Sequence, residues 1–236
     1  MKKGTSLDRL LKSAVWPASW QLFSRCFILL GLPLIAWGLD DLAGFFANPV
    51  RVAIAMIVLV LASVQAWMAY VTPPEPKEIV SETRFTRLKW HSTLFEIILI
   101  LAAFGDRRDI LTWNENQLLR WVGLGIYLLG AILSIWAGLT WVNHLRREGA
   151  SAVDNPVLLR EGPYKSLRYP TLLCLLLFSL GFAIAFRSWV GLALLIPLIA
   201  VVVNRTGKLD KGFAERYRVA WPLRSYRSKR IIPFLY

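Results

Sequence analysis

Six apolar stretches, long enough or nearly long enough to cross a bilayer and separated by segments that hold most of the charge, constrain this fold more than any other feature. A hydrocarbon core about 30 Å thick takes roughly 17 to 25 predominantly apolar residues per helical span. The stretches are residues 26–39, extending to 46 across the Asp40-Asp41 pair, then 52–71, 91–105, 121–143, 170–186 and 188–204. Every backbone polar group inside a bilayer must be satisfied by the protein itself, so helices are expected. The third stretch is short and carries Glu96, for which an internal structural partner is expected. Arg187 and its neighbours alone part the last two, which predicts a tight helical hairpin. The expected fold is an all-α polytopic membrane protein with about six transmembrane helices, a C-terminal hairpin and a short tail.

Charge refines this picture. The chain has 28 Lys+Arg against 15 Asp+Glu, a net charge of +13, with 18% charged and 56% hydrophobic residues. A water-soluble domain carries about a quarter charged residues, so that class is excluded. Five of the cations precede residue 26, four lie in 73–90, five in 144–168 and nine from 205 onward, which leaves five for the alternate connections. The positive-inside rule then predicts that both termini and the two longer loops face the cytosol. Orientation and anionic lipid headgroups account for the excess charge, so membrane lipids and no nucleic acid are the expected partners. The expected location is integral and multi-pass, in a bacterial cytoplasmic membrane.

Two cysteines, Cys26 and Cys174, and two histidines, His91 and His144, are too scattered to predict a disulfide framework or a metal site. His144, at the end of the fourth stretch, is the candidate base should an acceptor need one. Trp16, Trp20, Trp67, Trp90, Trp121, Trp141 and Trp189 fall near the ends of the stretches, as interfacial anchors do.

Composition changes near Ile110. Residues 1–110 read as a membrane scaffold of about three spans, with no chemical motif and with room for a protein partner. Residues 111–236 hold three spans, a polar loop and a basic tail. Within that loop Gly162, Pro163 and Pro170 set a turn against the fifth span and hold Arg168 at its mouth, where a guanidinium can clamp a carboxylate or phosphate.

The run Gly162-x-Tyr164-x-x-x-Arg168-Tyr169-Pro170 resembles the Gly-x-Tyr-x-x-x-Arg-His-Pro motif of the isoprenylcysteine carboxyl methyltransferase and phospholipid methyltransferase superfamily. The likeness extends to the hairpin that follows, to Phe213-Ala214-Glu215-Arg216-Tyr217, which is similar to that family's Phe-Gly-x-x-Tyr, and to Arg230-Ile231-Ile232-Pro233. It covers roughly residues 118–236. The resemblance implies a membrane methyltransferase that uses S-adenosylmethionine and acts on a lipidic or small amphiphilic acceptor. It also implies a cofactor pocket lined by Gly162, Tyr164, Arg168, Tyr169, Pro170 and Tyr217, with Arg168, Asp210 and Arg205 as candidate catalytic residues. Two departures stand out. Tyr169 replaces the motif histidine, and the family's Glu-Glu pair is missing. An ungapped count puts Arg205 and Thr206 in its place, whereas counting from Arg205 leaves Asp210 as the carboxylate. These departures support an alternative, a noncatalytic methyltransferase-like protein serving as a lipid-binding or assembly subunit.

Overall fold

The computed structural model describes residues 6–72, 90–148 and 159–216, and these are almost entirely helical. Helix α1 (Ser6–Cys26) runs through one π-helical turn, Phe27–Gly31, into α2 (Leu32–Trp37). Gly38, at φ 119°, ends that helix, and the short α3 (Leu42–Ala47) follows. The remaining helices are α4 (Pro49–Val71), α5 (Trp90–Arg108), α6 (Gln117–Glu148), α7 (Pro170–Ala185) and α8 (Trp189–Arg216). Extended pairing among the described residues is confined to an isolated bridge between Thr112 and Ser188.

Among the described residues, four segments are long and apolar enough to cross a membrane: Val15–Trp37, Pro49–Val71, Gln117–Arg147 and Trp189–Glu215. Helix α7 is apolar but has only 16 residues, about 24 Å at 1.5 Å per residue. Helix α5 has 19 residues and carries Glu96, Asp106, Arg107 and Arg108. The outward faces are greasy: Leu129 is 60% exposed and Ile196 73%. Exposed large aliphatic groups on long helices suit contact with lipid.

Two boundaries differ from the sequence reading. The first apolar block is the second half of a helix that begins well before it, so Arg25 falls inside a spanning segment instead of at its edge. The basic tail also begins as helix, because α8 continues through Arg205 to Arg216. The apolar run sets neither limit, since polar residues also sustain a helix and hydropathy marks only the part of it that suits lipid.

The packing is tightest where α6 crosses α7. A Cβ on Gly181 would lie 2.5 Å from the backbone nitrogen of Tyr127, so only glycine permits this approach. Tyr127, itself fully buried, sits against Phe178 and Phe182.

One end of the bundle is organised by Asp106. Its carboxylate accepts from Arg51 (2.9 Å), Arg120 (2.8 and 3.0 Å) and Arg187 (2.7 Å), which come from α4, α6 and the α7–α8 turn. The guanidinium groups also donate to carbonyls: Arg51 to Phe45 and Gly44, Arg120 to Ala185, Arg187 to Trp113. Glu115 takes two bonds from Arg120, at 2.6 and 2.8 Å. Arg107 at the same end pairs with Asp40, and Arg108 donates to the Ala36 carbonyl. The five arginines of the alternate connections are thus all built into this end, and they join the two halves of the chain that composition separates near Ile110.

Candidate functional site

At the opposite end, the segment from Leu159 to Pro170 folds back on α6 and delivers its polar residues to α8. A short 3₁₀ turn, Gly162–Lys165, starts it. Gly162 has φ +53°, and a Cβ there would lie 2.5 Å from Thr140 Oγ1 and 3.1 Å from Trp136 Nε1. Both the backbone angle and the space therefore demand glycine. The buried Pro163 accepts from the Leu167 N–H at 3.0 Å. Tyr169 precedes α7, and Pro170 takes that helix's first position, where its missing N–H costs no hydrogen bond.

The turn and α8 meet at Asp210. Arg168 Nη1 donates to Asp210 Oδ2 at 2.7 Å, and Tyr169 Oη donates to Oδ1 at 2.8 Å. The Arg168 and Asp210 side chains are only 11% and 9% exposed. Three residues singled out from sequence are thus brought into one constellation. Arg205 is placed elsewhere: its Nη1 lies 3.5 Å from His91 Nδ1 on α5. Five residues along a helix is about 500° of rotation, so Arg205 and Asp210 occupy different faces of α8. Thr206 is fully buried and bonded to the Val203 carbonyl.

The candidate cofactor residues divide between two concavities and the ion-paired cluster. Tyr164 lines a cavity of about 740 Å³ among α1, α4, α5, α6 and α7. Gly162 lines a smaller cleft with Trp136, Thr140 and Glu161. Glu161 pairs with Arg147, whose guanidinium holds its carboxyl below the ordinary carboxylate value. Pro170 is buried as a structural residue, and Tyr217 lies outside the described residues. His144 is 6% exposed, packs beside Trp141 and leaves Nε2 without a partner among the described residues.

Sequence reasoning missed the large cavity. Its polar lining includes Arg25, Gln65, Glu96 and Ser134, three of them from the half read as scaffold. Only Glu96 had been singled out, and it has no hydrogen bond or ion pair among the described residues, in place of the internal partner expected for it. The signal for Arg25 was its position within the first helix, which the apolar run alone did not define.

Comparison with known proteins found no matching family model, no matching curated protein and no matching solved structure.

Proposed function

We propose that the chain is a multi-pass membrane methyltransferase that transfers a methyl group from S-adenosylmethionine to a lipidic or small amphiphilic acceptor. In this reading α5 and α7 cross the bilayer with the four longer segments, giving six spans. Both termini face the cytosol of a bacterial membrane, and the Arg168–Asp210 end meets the aqueous cofactor supply. One observation carries the reading: Arg168, Tyr169 and Asp210, distant in sequence and marked by the motif resemblance, form one hydrogen-bonded unit.

The donor set suits the cofactor. Its amino-acid end presents a carboxylate beside an ammonium, and Arg168 and Asp210 offer a guanidinium beside a carboxylate. Tyr169 and Tyr164 supply further polar tips. When bound, S-adenosylmethionine supplies a methyl group already activated by positive sulfur, so the protein's tasks are proximity, orientation and exclusion of water. Arg168 and Asp210 bind and orient, while the apolar helices keep the surroundings dry. An amine or hydroxyl acceptor also needs a base, for which the buried His144 is the candidate.

Calorimetry on the full chain in detergent tests this directly. S-adenosylmethionine and its demethylated product should bind, and Arg168→Ala should abolish binding. A folded protein that takes up neither compound overturns the reading.

A second reading has an observation of its own. Arg168 and Tyr169 both spend hydrogen bonds on Asp210, and a closed ion pair is also what a retired active site would keep as a structural clasp. Under that noncatalytic reading, as a lipid-binding or assembly subunit, Tyr169→Phe and Asp210→Asn leave cellular function intact.

A further inference from the structure

Five helices line the large cavity, and four of the five junctions between them are packed. Helix α1 packs on α4, α4 on α6, α6 on α7 and α7 on α5. The fifth junction falls between α1 and α5, which have no comparable packing among the described residues. Nearer the Asp106 end that side is closed, because α2 packs along α5 and Arg107 donates to the Trp37 carbonyl at 2.6 Å. The gap therefore belongs to the half of the bundle in which α1, not α2, faces α5.

Two unmet charges of opposite sign stand at this gap. Arg25 on α1 is exposed, Glu96 on α5 is half-buried, and both line the cavity. Among the described residues neither makes a hydrogen bond or ion pair. The two are level. Arg25 lies twelve residues before Trp37, about 18 Å along the helix, and Glu96 lies eleven before Arg107, about 16.5 Å, while Trp37 and Arg107 bond to each other. Arg25 is also close to the centre of the spanning segment Val15–Trp37. Ionisable residues at that depth are expensive and normally paired.

A pivot adjoins Arg25. The π-helical turn Phe27–Gly31 is closed by the Leu32 N–H on the Phe27 carbonyl, and Pro33 brings no N–H to continue the ladder. Helices bend at such π turns and prolines. Any change in the winding of these five residues turns the whole of α1 about its axis and re-aims Arg25. Little opposes that rotation. The Val15–Trp37 segment is only 11% buried, against 28–33% for the other three, and its Trp16, Trp20, Phe23 and Phe27 face outward.

We propose that α1 is a gate over the cavity, hinged at the π turn and latched by an ion pair between Arg25 and Glu96. The arrangement described above is the open form. In the closed form the two side chains meet across the α1–α5 gap and shut the cavity off from the bilayer. Closure satisfies both charges at once, so the closed form dominates in a membrane, where unmet charge costs most. Both residues lie outside the part of the chain that resembles the methyltransferase superfamily, and the gate does not rest on that reading.

The native Cys174, buried in the cavity wall, reports the gate. The full chain carrying Cys26→Ser is placed in phosphatidylcholine nanodiscs and treated with N-ethylmaleimide. Arg25→Gln and Glu96→Gln should each speed modification of Cys174 by about tenfold, the change expected when a form populated at about a tenth becomes dominant. A local charge effect alone would make the two act oppositely, because a nearby cation favours the reactive thiolate and a nearby anion disfavours it. Each single substitution should also lower the melting temperature, since it strands the partner's charge. The exchange Arg25→Glu with Glu96→Arg should restore both the slow labelling and the melting temperature. Labelling rates that are unchanged or move in opposite directions overturn the latch, as does a rise in melting temperature with either single variant. Where a single variant is too unstable to label, the exchange decides: a recovered fold supports the latch, and an unrecovered one overturns it.

Discussion

Tyr169 donates its hydroxyl hydrogen to Asp210 Oδ1 at 2.8 Å, bridging forty-one positions of sequence from the start of α7 to the last turns of α8. Arg168 takes the other carboxylate oxygen. The carboxylate thus gathers one charged and one neutral donor, and tyrosine keeps its proton across the physiological range. A histidine here would titrate. Tyrosine at this position therefore gives the clasp a donor that histidine would not hold constant across neutral pH.

Removing that donor has a measurable cost. Hydrogen bonds to charged groups are worth about 1.5–3 kcal/mol, so Tyr169→Phe should lower the melting temperature of the full chain in detergent. Asp210→Asn should do the same, and the double variant should lose less than the sum, because both changes break one interaction. Strict additivity of the two losses would show that the contact carries no energy.

Among the described residues Asp106 is the acid that the most guanidinium groups hold. Its carboxylate is fully buried beneath the guanidinium groups of Arg51, Arg120 and Arg187. Breaking a buried ionic pair by removing one partner costs about 3–5 kcal/mol, since the opposite charge is left uncompensated. Asp106→Asn should therefore unfold the protein or cut its yield severely. Glu115→Gln, altering a carboxylate 54% exposed at the lattice edge, should cost much less. Comparable losses from the two variants would refute the central role of Asp106.

Some of this architecture could be read directly from residue order. The helical form, the hairpin hinged at Arg187 and the polar turn before Pro170 follow from apolar runs and turn residues, which are local signals. The motif likeness marked Arg168 and Asp210 separately, but their partnership was not legible, because nothing local says which carboxylate crosses to the turn. The five arginines around Asp106, Asp40 and the α2 carbonyls, which charge counting left as the remainder in the alternate connections, prove to be structural. Such a lattice depends on three-dimensional convergence of helix ends, and sequence spacing carries no trace of it. Arg25 escaped notice for a simpler reason: the run of apolar residues begins after it, while the helix begins before it.

Two glycines give opposite expectations. At Gly162 an alanine meets Thr140 and must adopt φ +53°, a strain of about 1–3 kcal/mol. At Gly207, on α8, an added Cβ meets nothing within 4 Å, and helical Gly→Ala exchange is worth about 0.5–1 kcal/mol in stability. Gly162→Ala should therefore lower the melting temperature and loosen the turn, read as faster proteolysis near Glu161. Gly207→Ala should raise it. A neutral Gly162→Ala would mean that the turn is not seated on α6.

The Asp40–Arg107 pair makes an acid-side prediction whose sign can be worked through. Arg107 donates to both Asp40 oxygens, at 2.9 and 2.5 Å, and also to the Trp37 carbonyl at 2.6 Å. Its hydrogen bond lowers the Asp40 carboxyl from 3.8 to about 2. The folded protein thus favours the charged form more than the unfolded chain does, so the pair contributes stability above pH 3.8 and loses it as pH falls toward about 2. Glu115 beside Arg120 and Glu161 beside Arg147 are lowered in the same sense, so their contributions too are lost on acidification. The difference between wild type and Asp40→Asn isolates the pair. Asp40 is 73% exposed, so the effect should be small and shrink with added salt. Melting temperatures of the two proteins should differ by a nearly constant amount well above pH 3.8 and converge only as pH falls through about 2. A gap that widened on acidification would mean that Asp40 is destabilising when charged, and that Arg107 is held at this end by the Trp37 carbonyl and Asp41.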